Sequence, residues 1–275
     1  MSLYITSLNS GSNGNCYYVG NNEEAVLVDA GISCRETERR LRRLGLGMDK
    51  VKAIFVSHEH SDHIKGIPVL ARRYRLPVYI TDPAHQYCGF RLEQEQVRSF
   101  QPHEPVQVGS LTITAFPKFH DASDPYSFVI ACNDVKVGVF TDIGHPCQHV
   151  INYFRQCHAA FLEANYDEDM LENGRYPYYL KQRIRGEKGH LSNRQALELF
   201  TRHRPSFMSH LLLSHLSKEN NDPQLVQNLF TTHANGTEIV VASRFKETAV
   251  FHINAKASAV KRPAVTVSQL QLSFA

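Results

Sequence analysis

Apolar residues along this 275-residue chain fall mostly in short runs of strand length, punctuated by glycine, asparagine and proline. Residues 3–7, 16–20 and 25–29 read as three early strands, with Gly20-Asn21-Asn22 as the turn between the last two. The pattern then changes period: Ser33 is placed to cap a helix running through Leu44 and stopped by Gly45. The run from Val51 to Val56 is apolar and β-branched enough for a buried strand, followed by a helix at 64–74, a strand at 78–81 and a short helix opened by Pro83. Strands are expected at 111–116, 127–132 and 136–141, the last two joined at Asn133-Asp134. A helix from Pro146, a strand at 159–163, a helix from the Ser192 cap through Thr201 and a strand at 210–213 follow. Asp222-Pro223 starts a further helix, and 238–242 and 249–253 are late strands. This order predicts an α/β fold in which two sheets face each other and helices cover the outer faces.

The run Ser57-His58-Glu59-His60-Ser61-Asp62-His63 directly follows a strand. Side chains there project from the C-terminal end of the strand, where open α/β sheets place their sites. Imidazole nitrogen and carboxylate oxygen are ligands that zinc and neighbouring divalent ions accept. Three histidines buried together without partners would be costly, and a metal removes that cost. With 15 His in the chain a single pair would mean little, but His-x-His-x-Asp-His is restrictive.

Composition narrows the setting. Hydrophobic residues make up 42% and charged residues 21%, as in a globular protein, and no apolar run approaches a bilayer span. The first residues lack a basic region followed by a long apolar one, so no signal peptide is expected, and the reading places the protein in the cytosol, away from membrane. The six cysteines are scattered without a Cys-x-x-Cys pair, which argues against a structural zinc or redox site. A net charge of +3 does not by itself imply nucleic acid.

Further candidate ligands follow later strands: His120 in Phe119-His120-Asp121, Asp142 in Thr141-Asp142-Ile143-Gly144, and His215 in Leu213-Ser214-His215. Each alone reads as well as a hydrogen-bonded residue at a strand end. In this order they complete a signature, His58-x-His60-x-Asp62-His63 then His120, Asp142 and His215, that resembles the metallo-β-lactamase-fold hydrolases. The resemblance implies a four-layer αββα sandwich, the domain being read over residues 1–254, while the weak alternation of 255–275 reads as either an added edge strand or a disordered tail. It also implies two divalent ions (Zn, Mn or Fe), one held by His58, His60 and His120, the other by Asp62, His63 and His215, with Asp142 bridging. His60 in place of Glu argues against the oxygen-reducing di-iron branch, and Asp142 in place of Cys against the zinc antibiotic-hydrolysing branch.

In the tRNA-processing and phosphodiesterase branches a Glu and a His stand where Glu163 and His190 stand here. By that likeness His190 would donate the leaving-group proton and Glu163 would orient it. Otherwise Glu163 merely ends a strand and His190 precedes a helix cap. The stretches Ser10-Gly11-Ser12-Asn13-Gly14-Asn15-Cys16, Leu162-Glu163-Ala164-Asn165, Gly189-His190-Leu191-Ser192-Asn193 and His215-Leu216-Ser217 resemble the YycJ (WalJ) group, which is associated with DNA exonuclease activity. Tyr166 departs from the resemblance, which leads one to expect His there.

The chemistry so implied is attack on phosphorus by a hydroxide shared between two cations roughly 3.5–4 Å apart, with Asp62 both ligating and holding the hydroxide. Ser214, Ser217, Asn165 and the amides of the 10–15 loop are candidate substrate contacts. Residues 175–188 interleave Arg and Lys, including Lys181 and Arg183, with tyrosines, a pattern suited to phosphates and unpaired bases. The same segment also fits an amphipathic helix burying Tyr178, Leu180 and Ile184. The arginines of the 35–43 helix read as a solvated outer face. The expected activity is a metal-dependent phosphodiesterase acting on nucleic acid, a repair-associated DNA exonuclease. Its competitors are an RNA-processing nuclease, a hydrolase of a small cyclic phosphodiester or thioester, and a non-catalytic binding protein. Oligomeric state is not legible.

Overall fold

The computed structural model describes residues 2–255, so the expected tail at 255–275 lies outside them apart from its first residue. The first sheet is built from β1 (Leu3–Asn9), β2 (Cys16–Gly20), β3 (Ala25–Val28), β4 (Val51–Phe55), β5 (Val78–Tyr79) and β6 (Val97–Arg98). Between them lie α1 (Cys34–Arg43), α2 (Ser61–Ile64), α3 (Ile67–Tyr74) and α4 (Asp82–Tyr87). The second sheet takes β7 (Pro105–Val108), β8 (Leu111–Pro117), β9 (Tyr126–Cys132), β10 (Val135–Phe140), β11 (Ala159–Glu163), β12 (His210–Ser214) and β13 (Glu238–Val241). Its helices are α5 (Gln148–Phe154), α6 (Glu168–Asn173), α7 (Tyr178–Arg185), α8 (Asn193–His203) and α9 (Pro223–Thr231), and β14 (Phe251–Ile253) returns to pair with β1.

Alternation along the strands creates the layers. One face of each sheet meets the other in a core that includes Ile5, Tyr17, Phe55, Phe128, Val137 and Phe161. The opposite face of the first sheet packs Leu27 and Ile54 against Leu41 of α1 and Leu70 of α3. The opposite face of the second packs Phe140 and Leu162 against Phe154, Phe200 and Phe230 of α5, α8 and α9. The result is the αββα order expected from sequence. No helix among the described residues is long and apolar enough to cross a membrane.

Strand directions set where the site falls. β1 and β2, then β2 and β3, are antiparallel, and β3 runs parallel to β4, so β1, β3 and β4 end at one edge. In the second sheet β10, β11 and β12 are parallel, and β8 reaches the same direction through antiparallel β9. The two edges are tied together: Tyr126 N donates to Ser57 O at 2.9 Å, and His215 N to Ser10 Oγ at 2.7 Å.

Several elements depart from the sequence reading. The helix expected at 64–74 is two, α2 and α3, broken at Lys65-Gly66, where Gly66 N donates to Ala30 O at 2.7 Å and Asp62 O accepts Asn15 N at 2.7 Å. β5 stops at Tyr79, short of 81, and β6, β7 and α6 were not foreseen. The 35–43 face is not wholly solvated: Arg40 is buried, donating to Leu8 O at 2.6 Å and Asn9 Oδ1 at 2.8 Å. All six cysteines are free thiols, and all but Cys147 are buried.

Candidate metal centre

Beyond β4 the chain enters α2, and the turn is fixed by a carboxylate on the neighbouring strand. Asp29, just past β3 and buried, accepts Ser57 N on Oδ1 at 2.8 Å. Its Oδ2 accepts the Ser57 hydroxyl at 2.8 Å and His63 Nδ1 at 2.7 Å. Ser57 Oγ, its proton given to Asp29, lies 2.9 Å from His58 Nδ1 and can accept from it. One buried carboxylate thus fixes Nδ1 as the donor on both His58 and His63 and leaves each Nε2 lone pair for a ligand. Asn15, from the loop after β1, places Nδ2 3.2 Å from Asp62 Oδ2 and 3.0 Å from His63 Nε2.

The second sheet supplies the facing wall. His120, after β8, donates Nδ1 to Gly189 O at 3.1 Å and turns Nε2 to His60 Nδ1 at 3.4 Å. His58 Nε2 lies 3.1 Å from the same His60 nitrogen. Asp142, after β10, brings Oδ2 to 3.2 Å from His63 Nε2 and Oδ1 to 3.5 Å from His215 Nδ1. His215, after β12, donates Nδ1 to Glu163 Oε1 at 3.1 Å and sets Nε2 3.5 Å from Asp62 Oδ2. Asp29, Asp142 and His215 all have positive φ (60°, 56° and 56°). Non-glycine residues seldom adopt this conformation, and its concentration at one sheet edge marks a functional constraint.

The ligand atoms of His58, His60 and His120 all lie within 4.8 Å of one another. The same holds for Asp62, His63 and His215, for His58, His63 and Asp142, and for Asp142, Glu163, His190 and His215. The donor chemistry fits a divalent cation. Asp142 Oδ2 is buried and meets no well-aligned donor among the described residues, its neighbour being the His63 Nε2 at 3.2 Å, and a cation between the two would satisfy both. Burial drives the His58 imidazole well below its ordinary pKa and that of His120 to about 3, so both are neutral, the ligating form.

Charge in the remainder is balanced internally. Burial opposes ionisation of Asp142, but His215 and His63 outweigh it and hold the carboxylate well below its ordinary range. Burial likewise works against Glu163, yet the charge and hydrogen bond of His190 and the bond from His215 bring it to about 2. Glu163 Oε1 lies 2.7 Å from His190 Nδ1, while Oε2 accepts Ile143 N at 2.7 Å and Leu191 N at 3.3 Å.

These groups open on a cleft of about 250 Å³ whose wall includes His60, Asp62, Asp142, His190, His215 and Arg183. Asn165 and Ser217 also line it, although Asn165 spends Nδ2 on His215 O at 2.8 Å. Ser214 does not: it is fully buried and its hydroxyl donates to Leu212 O at 3.0 Å, so it cannot hold a phosphate as expected. The 10–15 loop offers fewer amides than expected, because Gly14 N, Asn15 N and Gly11 N are bonded to Gly11 O, Asp62 O and Asn15 Oδ1. On α7, Ile184 is buried but Tyr178 and Tyr179 are 72% and 74% exposed, so the amphipathic reading fails for Tyr178. Arg183 is bonded to Asp121 at 2.5 Å and Lys181 donates to Glu172 O. Tyr166 is buried with Leu171 and Ile184 and is not part of the cleft wall.

Sequence reasoning missed Asp29, Asn15 and Lys118. Lys118 is buried and donates Nζ to Thr141 O at 2.7 Å, the carbonyl before Asp142. The available signal for Asp29 was Val26-Leu27-Val28-Asp29, an apolar strand ending in an acid.

Comparison with known proteins agrees with this geometry. The Beta-lactamase superfamily domain matches residues 24–215. Exodeoxyribonuclease YycJ of Bacillus anthracis is 35% identical over 230 residues, 82% of this chain and 87% of that protein. Exodeoxyribonuclease WalJ of Streptococcus pneumoniae is 31% identical over 87% of this chain and 91% of its own. Among solved structures, the metallo-β-lactamase fold protein YhfI from Bacillus subtilis superposes with a TM-score of 0.71 at 19% identity, covering 92% of this chain and 100% of that one. With two facing sheets, helices on both outer faces and a histidine–aspartate cluster at the shared strand ends, the chain belongs to the β-lactamase superfamily and, within it, to the YycJ-like group.

Proposed function

We propose that the protein is a metal-dependent exodeoxyribonuclease that hydrolyses phosphodiester bonds of DNA. The observation that carries this reading is the Glu163–His190 pair, 2.7 Å apart, at the rim of the imidazole–carboxylate cluster. Hydrolysis of a phosphodiester needs a proton for a poor leaving group, and a histidine backed by an ionised carboxylate is suited to give it. The relatives named exodeoxyribonucleases supply the substrate class.

In this reading His58, His60 and His120 would hold one divalent cation and Asp62, His63 and His215 a second, with Asp142 between them. Zinc, manganese and iron all suit this donor set. Bound there, the cations would activate water and offset charge on the phosphoryl oxygens. Asp62, 21% exposed at its side chain, reaches the cleft and orients the attacking water while Asn15 steadies it. Glu163, clamped by Ile143 N and Leu191 N, holds His190 by Nδ1 and leaves Nε2 to protonate the departing oxygen. Arg183, Asn165 and Ser217 on the cleft wall would receive the strand, with Lys181 on the same helix as Arg183.

End-labelled single- and double-stranded DNA and RNA, incubated with each metal in turn, test the proposal. DNA should lose nucleotides stepwise from an end, and Asp142→Ala should slow this by more than about a hundredfold. Degradation of RNA alone, or turnover of bis(p-nitrophenyl) phosphate with both nucleic acids intact, would overturn it.

A further inference from the structure

Beside the metal cleft lies a second cavity of about 330 Å³, and Ser217 lines both. Its wall also includes Ser10, whose Oγ accepts His215 N at 2.7 Å, so the two spaces share a rigid partition. Leu216, Val241 and Ala242 give the cavity an apolar floor. Lys218, Arg244 and Lys246 stand around it, and among the described residues no carboxylate lines it. Among the described residues neither Arg244 nor Lys246 forms an ion pair, whereas Arg183 and Arg185 of α7 are already bound to Asp121 and Glu172. Phe245, at the same cavity, is 77% exposed, and no ring packs on it among the described residues.

That exposure does not come from a loose loop. Arg40, buried, donates Nη2 to Phe245 O at 3.1 Å, and Arg43 holds Glu247 at 3.0 Å. Asn13 donates to Arg244 O at 3.0 Å, Arg244 Nη2 to Ser12 Oγ at 3.2 Å, and Ser10 N to Ser243 O at 3.2 Å. The backbone under Phe245 is therefore fastened on both sides while its ring is held out into water at the edge of the cavity's apolar floor.

We propose that this cavity is a nucleotide subsite for single-stranded DNA: an unpaired base of the strand engaged at the metal cluster stacks on Phe245, and Lys218 and Lys246 meet the flanking phosphates. The subsite rests on the nuclease reading above. An aromatic face beside an apolar floor, with a cationic rim of which Arg244 and Lys246 carry no ion pair among the described residues and Lys218 holds only the exposed Glu219 at 3.5 Å, is complementary to a base and its phosphate, and stacking is tolerant of sequence. Clamping the loop in advance removes the ordering cost that a mobile platform would carry.

Steady-state kinetics on a single-stranded oligonucleotide and on bis(p-nitrophenyl) phosphate test it. The ratio of kcat/KM for DNA to that for the small diester should fall roughly tenfold in Phe245→Ala, mainly through KM, and recover in Phe245→Tyr. A wild-type ratio in Phe245→Ala overturns the subsite and leaves the nuclease reading standing. Wild-type enzyme that hydrolyses the small diester but no DNA overturns both. If Phe245→Ala does not fold, Phe245→Trp carries the test, because the chain has no Trp and the new indole is the sole emitter of its kind. Oligo(dT) should quench that emission, and undiminished fluorescence at concentrations that saturate hydrolysis overturns the subsite.

Discussion

His190 keeps 19% of its side chain exposed, while Glu163 behind it has none. This division matters chemically. A carboxylate held at about 2 stays ionised under all ordinary conditions and fixes Nδ1 of the ring as a donor, so Nε2 of this cleft-lining residue is left without that partner. If that nitrogen protonates the leaving oxygen, the cost of losing it depends on how poor the leaving group is. His190→Ala should lower turnover of DNA by roughly 10²–10⁴. Turnover of bis(p-nitrophenyl) phosphate, whose nitrophenolate leaves without a proton, should fall far less. Equal losses on both substrates would assign His190 to positioning instead of proton transfer. At this scale His58, His60, His63, His120, His215 and Asp142 were legible because each comes shortly after an apolar strand and is of ligand type, whereas His190 follows α7 and was read only through the family resemblance. Asp29, Asn15 and Lys118 were not. Their work is to bond a neighbour's ring, carboxylate or carbonyl, and those partners lie 34, 47 and 23 positions away.

Elements hold the cluster through backbone contacts that tolerate no side chain. The segment after β3 and the loop after β1 run directly against the turn containing α2: Ala30 N donates to His63 O, Gly66 N to Ala30 O, and Asn15 N to Asp62 O. A Cβ on Gly31 would lie 1.7 Å from Asp62 O and 2.7 Å from Asn15 N. Backbone cannot give way as a flexible side chain can, so Gly31→Ala must push the α2 turn outward and carry Asp62 and His63 with it. Overpacking of this kind costs about 1–3 kcal/mol. Urea denaturation should show a loss of that size, and metal titration should show weakened binding. Unchanged metal affinity would mean the strain relaxes away from the ligands. The same contacts explain what periodicity could not foresee. The helical pattern over 64–74 is continuous in sequence, and the bond from Gly66 N to Ala30 O, made 36 positions away, interrupts it. β6 is two residues long, too short for any alternation to register, and β7 is a partly exposed strand with Pro105 at its start. The longer strands and the capped helices, α1 from Ser33 and α8 from Ser192, were readable because pattern and cap agree.

For the whole molecule, two sheets bring four carboxylates, Asp29, Asp62, Asp142 and Glu163, to one partly buried edge, and the metal-free chain must neutralise them. It does so with protons. Burial lowers the pKa of His215, but Asp142 and the hydrogen bonds to Asp62 and Glu163 overcome it and raise the ring to about 10. His63, despite its burial, is lifted well above its ordinary value by Asp142, Asp29 and Asp62. The folded pKa of His215 exceeds the ordinary 6.5, so its contribution to the metal-free fold is complete below 6.5 and is lost as pH rises through about 10. A cation and a proton need the same lone pair, so metal loading near neutral pH must expel the protons on His63 and His215, about two per chain. Calorimetric titration of the metal-free protein with zinc, in buffers of differing ionisation enthalpy, counts them directly. The observed heat should vary with buffer ionisation enthalpy with a slope corresponding to about two protons released. Metal-free stability should then decline across pH 6.5 to 10 while that of the loaded protein holds. A slope of zero would mean that these rings are already neutral before metal arrives, and the charge balance described for the cluster would have to be abandoned.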